Sequence, residues 1–459
     1  MMEIQVNDLN KERYYESQKI ISTQSCTIYR MKNGILKKFR NDSYENIYDH
    51  VVREILILRN IRHPNIVQLK EIWHDQVHPS LVLEDNGIAL WFHVARMTRF
   101  VRASMFDSVF IQILNAFNYL HSNNIIHRDV KATNILIKDG IVKVCDFGLS
   151  RYLTDDDMGS LAYTINYRPP EILVGNCNYG LAADMWALGC VMYDFITHEM
   201  LFGVGDQDET DDQIMKDILL EVPTTTRELE MINAEYEIPE GPKWNKISQL
   251  NLADHKICMI KRLLSIHPNS RPTARDCLLI LGETPQIIDV DQRSFLIRKK
   301  IKSDLNVRYI MVLHILEIGD HFPVSPFVIA SAVDIYDKFL IVNKNTEVDQ
   351  TKLILYYIAS VLLSSCIHDS YKLFPADFES VYNEKDIENA MKSLFKEISY
   401  DLDSVSLWQI VSEQINLGIL EKTKEEHYWG KIKEMYLQYD IVGLDRTQVT
   451  QEIIKRLTS

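Results

Sequence analysis

The sequence predicts an α+β domain followed by an all-α domain, and three observations carry that division. Residues 14 to about 100 mix short β-rich runs, such as Ile66-Val67-Gln68-Leu69 and Leu81-Val82-Leu83, with one helical stretch from Tyr48 to Asn60. From Ala103 to His121 the residues Phe106, Val109, Phe110, Ile113, Phe117 and Leu120 recur at three- and four-residue spacings, the stripe of a helix with one face in a core. Beyond residue 302 everything reads as helix.

The elements follow in order. Strand candidates Ile135-Leu136-Ile137 and Val142-Lys143-Val144 are joined by Lys138-Asp139-Gly140, whose Asp-Gly is a hairpin turn signal. After Pro169-Pro170 the chain is mostly helix and loop. Asp206 to Asp212 carries five acids and no base, and is expected to be a solvated loop. The stretch 222–250, with Pro223, Pro239, Gly241 and Pro242, is expected to be an irregular insertion. The first domain is assigned to 14–284, a linker to 285–302, a helical domain to 303–420 and a C-terminal helical extension to 421–459. Helices are expected at 306–319, 326–341, 351–366, 385–398 and 404–416, with two more at 425–438 and 448–457. Ser325 before Pro326 and Asp386 before the stripe Ile387, Ala390, Met391, Leu394, Phe395 and Ile398 are the expected caps.

Composition bounds the class of protein. A chain of 459 residues and 53.5 kDa is too long for one ordinary domain. Its 46% hydrophobic and 25% charged residues exclude a disordered or collagenous chain. A net charge of -14 argues against nucleic-acid binding over the whole surface, and no direct nucleic-acid partner is expected. Seven cysteines lie far apart with no Cys-x-x-Cys pair, which suits a reducing compartment. Met1-Met2-Glu3-Ile4 has neither a basic nor an apolar region, and the longest apolar run, Leu353 to Leu363, is interrupted by Ser360 and too short for a bilayer. The expectation is an intracellular protein, cytoplasmic or nuclear or both, without a membrane partner.

The strongest motif is His127-Arg128-Asp129-Val130-Lys131-Ala132-Thr133-Asn134, followed twelve residues after Asn134 by Asp146-Phe147-Gly148, with Pro170-Glu171 downstream. In content and spacing it resembles the protein-kinase superfamily. The resemblance implies a bilobal kinase fold, ATP and Mg2+ as cofactors, and a protein substrate. Phosphoryl transfer needs in-line placement and charge neutralisation more than covalent help. By resemblance, Asp129 would accept or orient the proton of the substrate hydroxyl, Asn134 and Asp146 would hold the metal ions, and Lys131 would approach the transferred phosphoryl. Lys131, and Thr164 ahead of Tyr167-Arg168-Pro169-Pro170-Glu171, resemble serine/threonine kinases and not tyrosine kinases.

Upstream, Gly34-Ile35-Leu36-Lys37-Lys38-Phe39 resembles the third kinase strand. Lys37 is the expected phosphate contact, with Lys38 turned to the other face by strand alternation. Glu54, in Val52-Arg53-Glu54-Ile55, is its expected ion-pair partner. Leu83 takes the gatekeeper position, and Glu84 to Asn86 the hinge that receives adenine. The phosphate-covering loop, Ile20 to Tyr29, lacks the family's glycines: Ile21, Thr23 and Cys26 stand in their places. Side chains there are expected to loosen or tilt a loop whose N–H groups approach phosphate. Ile21 and Ile28 are nonetheless expected nucleotide contacts. A second reading stays open beside the active kinase: a weak or nucleotide-binding pseudokinase, a scaffold whose helical part recruits cell-cycle or transcription partners.

Within that superfamily the chain is similar to the cyclin-dependent group. Arg53-Glu54-Ile55, Tyr167-Arg168-Pro169-Pro170-Glu171-Ile172-Leu173, Asp184-Met185-Trp186-Ala187-Leu188-Gly189-Cys190 and His267-Pro268 with Arg271 carry the likeness, with Asn166 where tryptophan is usual. In this group three arginines collect a phosphothreonine, and Arg53, Arg128 and Arg151 stand at those positions. The phosphothreonine position falls on Gly159. Ser160 beside it could be modified, and Asp155-Asp156-Asp157 could supply charge without modification, which is the option favoured here. Arg168 and its flanks resemble those of proline-directed relatives.

Ala332-Val333-Asp334-Ile335-Tyr336-Asp337-Lys338-Phe339-Leu340 resembles the second helix of a cyclin box. The lysine usual late in the third helix is replaced by Cys366 or Ser365. An unrelated helical bundle is the competing reading of this region. If cyclin-like, the domain would dock on the kinase domain in cis, across a linker that reaches ~60 Å when extended, or in trans on a second copy.

Overall fold

The structure is a computed structural model and describes residues 5–8, 17–23, 26–39, 47–74, 79–153, 158–159, 162–205, 208–285, 305–343, 350–368, 373–378, 382–402, 406–416, 419–438 and 446–458. The chain forms two compact units, 1–290 and 291–459. Among the described residues no helix is long and apolar enough to cross a membrane.

The first unit opens with β1 (Gln5–Asp8), β2 (Gln18–Ser22), β3 (Cys26–Met31), β4 (Gly34–Phe39), helix α1 (Ile47–Asn60), β5 (Leu69–His74) and β6 (Pro79–Leu83). These strands form one sheet in the order β1-β5-β6-β4-β3-β2, antiparallel except where β1 runs parallel to β5. The four residues of β1 lie before the span 14–284 and carry no alternating pattern that marks them as a strand. Met31, Leu36, Trp73 and Val82 form a core under the sheet. Alternation along β4 buries Lys37 and leaves Lys38 half-buried on the opposite face. Gly34 allows β4 to approach β6, because a Cβ there would strike the Leu83 carbonyl oxygen. The strand expected at Ile66–Leu69 begins only at Leu69. Ile66 is drawn into a turn after Pro64 by its N–H on the His63 carbonyl, and meets Val144 as a single bridge.

The helical part follows as β7 (Ile88–Ala89), α2 (Leu90–Val94), α3 (Arg99–Ser122), β8 (Ile125–Ile126), β9 (Ile135–Lys138), β10 (Ile141–Val144), β11 (Arg151–Tyr152), α4 (Pro170–Leu173), α5 (Ala182–Thr197), α6 (Asp211–Glu221), α7 (Thr226–Met231), α8 (Asp254–Leu263) and α9 (Ala274–Ile280). Helix α3 starts a turn before the expected Ala103, because the Thr98 hydroxyl accepts from the Val101 N–H and caps it. The stretch 222–250 is not wholly irregular. Thr225 and Glu228 form a capping box that starts α7. Glu171 and Arg271 join α4 to the segment before α9 through two parallel bonds of 2.7 Å each, both side chains buried.

The second unit contains α10 (Leu305–His321), α11 (Pro326–Val342), α12 (Gln350–His368), α13 (Glu384–Glu397), α14 (Leu407–Asn416), α15 (Glu425–Gln438) and α16 (Arg446–Thr458). Helix α11 is its centre: every residue from Phe327 to Leu340 is buried. Ser325 caps it as expected, whereas α13 is capped by Asn383 and not by Asp386, whose N–H is the donor in that cap. The Arg308 guanidinium holds both Asp337 oxygens at 2.7 and 2.8 Å and donates to the Tyr436 carbonyl at 3.0 Å, so α10, α11 and α15 share one buried ion pair. Cys366 and Ser365 are both buried, so neither offers a surface side chain in place of the missing lysine.

Candidate active site

Lys37, Glu54 and Asp146 come from β4, α1 and the loop after β10, and converge. Lys37 Nζ donates to Glu54 Oε2 at 2.7 Å and to Asp146 Oδ1 at 2.8 Å. Burial works to lower the Lys37 pKa, but Asp146 and Glu54 more than offset it and the ammonium is held well above its ordinary value. Lys37 in turn holds the Asp146 carboxyl well below the usual carboxylate range. Burial raises Glu54 from 4.5 to about 7, with Lys37 pulling back, and its Oε1 has no hydrogen-bond partner among the described residues. The Asp146 side chain is 44% exposed, so this carboxylate opens to solvent while Glu54 is sealed behind it. Phe147 is fully buried, edge-on to His127 at 4.9 Å between ring centroids.

The second group comes from the turn after β8. Asp129 accepts from the Thr164 hydroxyl at 2.9 Å and from Asn134 Nδ2 at 2.8 Å, and Lys131 Nζ lies 2.9 Å from its Oδ2. Lys131 also donates to Thr164 Oγ1 at 2.9 Å, so Asp129, Lys131 and Thr164 close a ring that Asn134 joins at Asp129. This loop hangs from Asp184 at the start of α5. That buried carboxylate accepts the His127 and Arg128 N–H groups at 2.9 and 3.1 Å, His121 Nε2 at 3.0 Å and the Tyr163 hydroxyl at 2.8 Å. Burial opposes its charge, yet these donors keep its pKa below the ordinary value. Arg128, Asp146 and Tyr163 all hold left-handed backbones, with φ of 68, 66 and 64°. Such conformations cost on the order of 1–3 kcal/mol each and persist only where surrounding contacts enforce them.

The expected hinge and loop residues divide. Glu84 Oε1 accepts the Gln68 N–H at 2.8 Å and Lys143 Nζ at 2.7 Å, which ties this carboxylate to its neighbours in the fold. Asn86 is buried and its Nδ2 lies 3.3 Å from the Glu84 carbonyl oxygen. Ile21 pairs with Ile28, and Ile28 with Lys37, across the sheet. Ile21 is half-exposed. The Thr23 hydroxyl both accepts from the Cys26 N–H and donates to the Cys26 carbonyl, each at 3.1 Å. An N–H that a glycine loop would offer to phosphate is thereby engaged within the hairpin.

Arg53, Arg128 and Arg151 are buried. Arg128 Nε donates to the Tyr179 hydroxyl at 2.9 Å and Nη2 to the Met158 carbonyl at 2.6 Å, so this guanidinium already has neutral partners. A Cβ at Gly159 would lie 3.8 Å from Arg128 Nη2. Ser160 and Asp155 to Asp157 lie outside the described residues.

Several residues of the site carry no sequence signal of their own. The acidic stretch read as a solvated loop makes specific contacts. Glu209 accepts from Asn166 Nδ2 at 2.8 Å and from the Val204 and Gly205 N–H groups, and Asp211 pairs with Arg168 at 2.6 Å. Charge runs default to solvent unless a long-range partner exists, and Asn166 and Arg168 lie about 43 residues away. Tyr163 is likewise visible only in three dimensions, and Asp184, which opens a motif quoted above, shows its role as the anchor of this loop only there.

Asp146 and Asn134 suit a hard divalent cation. Asn134 Nδ2 is taken by the Asp129 carbonyl and carboxylate, which leaves the carboxamide oxygen as its acceptor, and Asp146 supplies an ionised, solvent-open carboxylate.

Comparison with known proteins finds a protein kinase domain model matching residues 17–279 and a cyclin N-terminal domain model matching residues 281–403. Cyclin-dependent kinase-like 4 of Mus musculus is 35% identical over 212 residues, 43% of this chain and 61% of that one. Cyclin-dependent kinase-like 2 of Homo sapiens is 32% identical over 254 residues, 53% of this chain and 51% of that one. The chain thus covers less than two thirds of either relative's length. The solved yeast RNA Pol II CTD kinase CTDK-1 complex contains a chain 23% identical, with a TM-score of 0.49, covering 59% of this chain and 94% of that one.

Proposed function

Because the chain belongs to the protein kinase family and carries a cyclin N-terminal domain behind its kinase domain, we propose that it is an active serine/threonine kinase, acting before proline, with the cyclin-like domain as its built-in activator. The observation that carries this reading is the closed pair of networks: Lys37 between Glu54 and Asp146, and Asp129 with Lys131, Asn134 and Thr164. A pseudokinase needs neither, and a buried ion pair kept at a solvent-open carboxylate is costly unless it is used.

In this reading Asp146 and the Asn134 oxygen would hold Mg2+, which when bound neutralises phosphate charge as ATP is used. Lys37 would hold the phosphates of ATP, itself fixed by Glu54. Asp129 receives the proton of the incoming hydroxyl as the new oxygen–phosphorus bond forms and ADP departs. Lys131, bonded to Thr164, stands ready to compensate charge on the transferred group. Arg168 supports proline selection. Its Nη2 donates to the Tyr163 carbonyl at 3.1 Å, so that oxygen is not available to the N–H of the residue after the phosphoacceptor. Proline has no N–H to leave unpaired, whereas any other residue loses a hydrogen bond there.

Transfer of phosphate from Mg2+–ATP to a serine-proline peptide tests the reading. Asp129→Asn is expected to lower kcat by roughly 10²–10⁴-fold, and Asp146→Asn to lower it as far. Variants indistinguishable from the parent would defeat the enzyme reading. The protein is further proposed to work in the cytoplasm or nucleus.

A further inference from the structure

The loop ahead of Pro169-Pro170, residues 162–168, is restrained from two sides. On one side, Arg168 donates to the Tyr163 carbonyl at 3.1 Å and to the Ala162 carbonyl at 3.0 Å, and is itself braced by Asp211 at 2.6 Å. On the other, the Tyr163 side chain is buried, 4% exposed, and its hydroxyl donates to Asp184 Oδ1 at 2.8 Å. Between these restraints the backbone of Tyr163 stands at φ +64°, a conformation that a bulky aromatic residue adopts only when its surroundings impose it.

We propose that the Tyr163 hydroxyl is a positioning group for substrate selection. By bonding Asp184 it keeps residue 163 left-handed and its carbonyl on Arg168, and so sets the preference for proline after the phosphoacceptor. The proposal rests on the serine/threonine-proline reading above and names the group that enforces it.

The choice of anchor matters. Asp184 also carries the His127 and Arg128 N–H groups that shape the loop bearing Asp129. One carboxylate therefore fixes both the reacting end of the site and the wall that meets the next substrate residue. A phenyl ring would fill the same space without a donor. The Tyr163 N–H keeps its 2.9 Å bond to the Arg128 carbonyl, but the left-handed backbone loses its side-chain restraint, and relaxation to negative φ turns the carbonyl towards the substrate. A non-proline residue regains a hydrogen-bond acceptor for its N–H, and proline gains nothing.

The experiment compares the full chain with Tyr163→Phe on two peptides that differ only in proline or alanine after the serine. kcat/KM is measured with Mg2+–ATP, and binding by fluorescence anisotropy with Mg2+–ADP, so that selection is read even without turnover. The parent is expected to favour the proline peptide, and Tyr163→Phe to reduce the proline-to-alanine ratio by roughly three- to tenfold. General loosening lowers both peptides in proportion and leaves the ratio unchanged. Tyr163→Leu, also lacking the donor, gives the same readout if the phenyl variant does not fold. A folded variant that keeps the parental ratio overturns this proposal alone. Equal binding of both peptides by the parent overturns the proline reading and this proposal with it. Absence of transfer with selective binding overturns only the claim of catalysis.

Discussion

Glu54 is the residue where stability and activity pull apart. Its carboxyl is buried, one oxygen has no hydrogen-bond partner among the described residues, and burial raises its pKa from 4.5 to about 7. The folded form therefore binds this proton more tightly than the unfolded chain does. The charged glutamate weakens the fold progressively as pH rises from about 4.5 to about 7, and in full above that. Activity has the opposite need, since only the ionised carboxylate fixes Lys37. We expect kcat/KM to fall on acidification from pH 8 to 6 in the parent, with an apparent pKa near 7. Glu54→Gln should flatten that limb and lower kcat/KM on the order of a hundredfold, without lowering the melting temperature at pH 8, because Lys37 keeps Asp146. A lower melting temperature would show that the ion pair is a net stabiliser instead.

The same scale separates what sequence could reveal from what it could not. Lys37, Glu54, Asp129, Asn134 and Asp146 sit in motifs whose spacing is itself informative, and Lys37 meets Asp146 although 109 residues divide them. Tyr163 offered no such handle. Nothing in Ala162-Tyr163-Thr164 indicates a left-handed residue, since that state depends on Arg168, Asp211 and Asp184 arriving from other elements. The bonds from Arg128 Nε to the Tyr179 hydroxyl and from its Nη2 to the Met158 carbonyl are equally beyond the reach of a local motif.

At the level of elements, long periodic helices were the most legible and short polar ones the least. Helix α11 was expected at 326–341 and spans Pro326–Val342, because its cap and its apolar stripe are both local. Strand β1, of sequence Gln-Val-Asn-Asp, exists only because β5 offers an edge. In the second unit the packing of α10, α11 and α15 turns on Arg308. Arg308→Leu removes the guanidinium that holds both oxygens of the buried Asp337 carboxylate, and is expected to destabilise that unit by about 3–5 kcal/mol. The double variant with Asp337→Leu should recover a substantial part of that loss. Thermal unfolding of the four forms measures the coupling. Additive losses would mean that the bidentate pair contributes nothing beyond packing.

On the scale of the whole chain, an acidic protein of net charge -14 gathers Lys37, Arg53, Arg128 and Arg151 as buried cations in its first unit. The second unit has the seven helices named above and a central buried helix, yet neither Cys366 nor Ser365 restores the lysine that cyclins usually present. A weak activating interface is tolerable when the two partners share a chain, since tethering raises effective concentration to the order of millimolar. Comparing the full chain with residues 1–290 in phosphate transfer from Mg2+–ATP to a serine-proline peptide tests this directly. The account predicts transfer by the full chain, abolished by Asp129→Asn, and at least about tenfold slower transfer by residues 1–290 at equal concentration. Equal rates for the two would contradict a built-in activator, and no transfer by the full chain above the Asp129→Asn background would contradict the kinase itself.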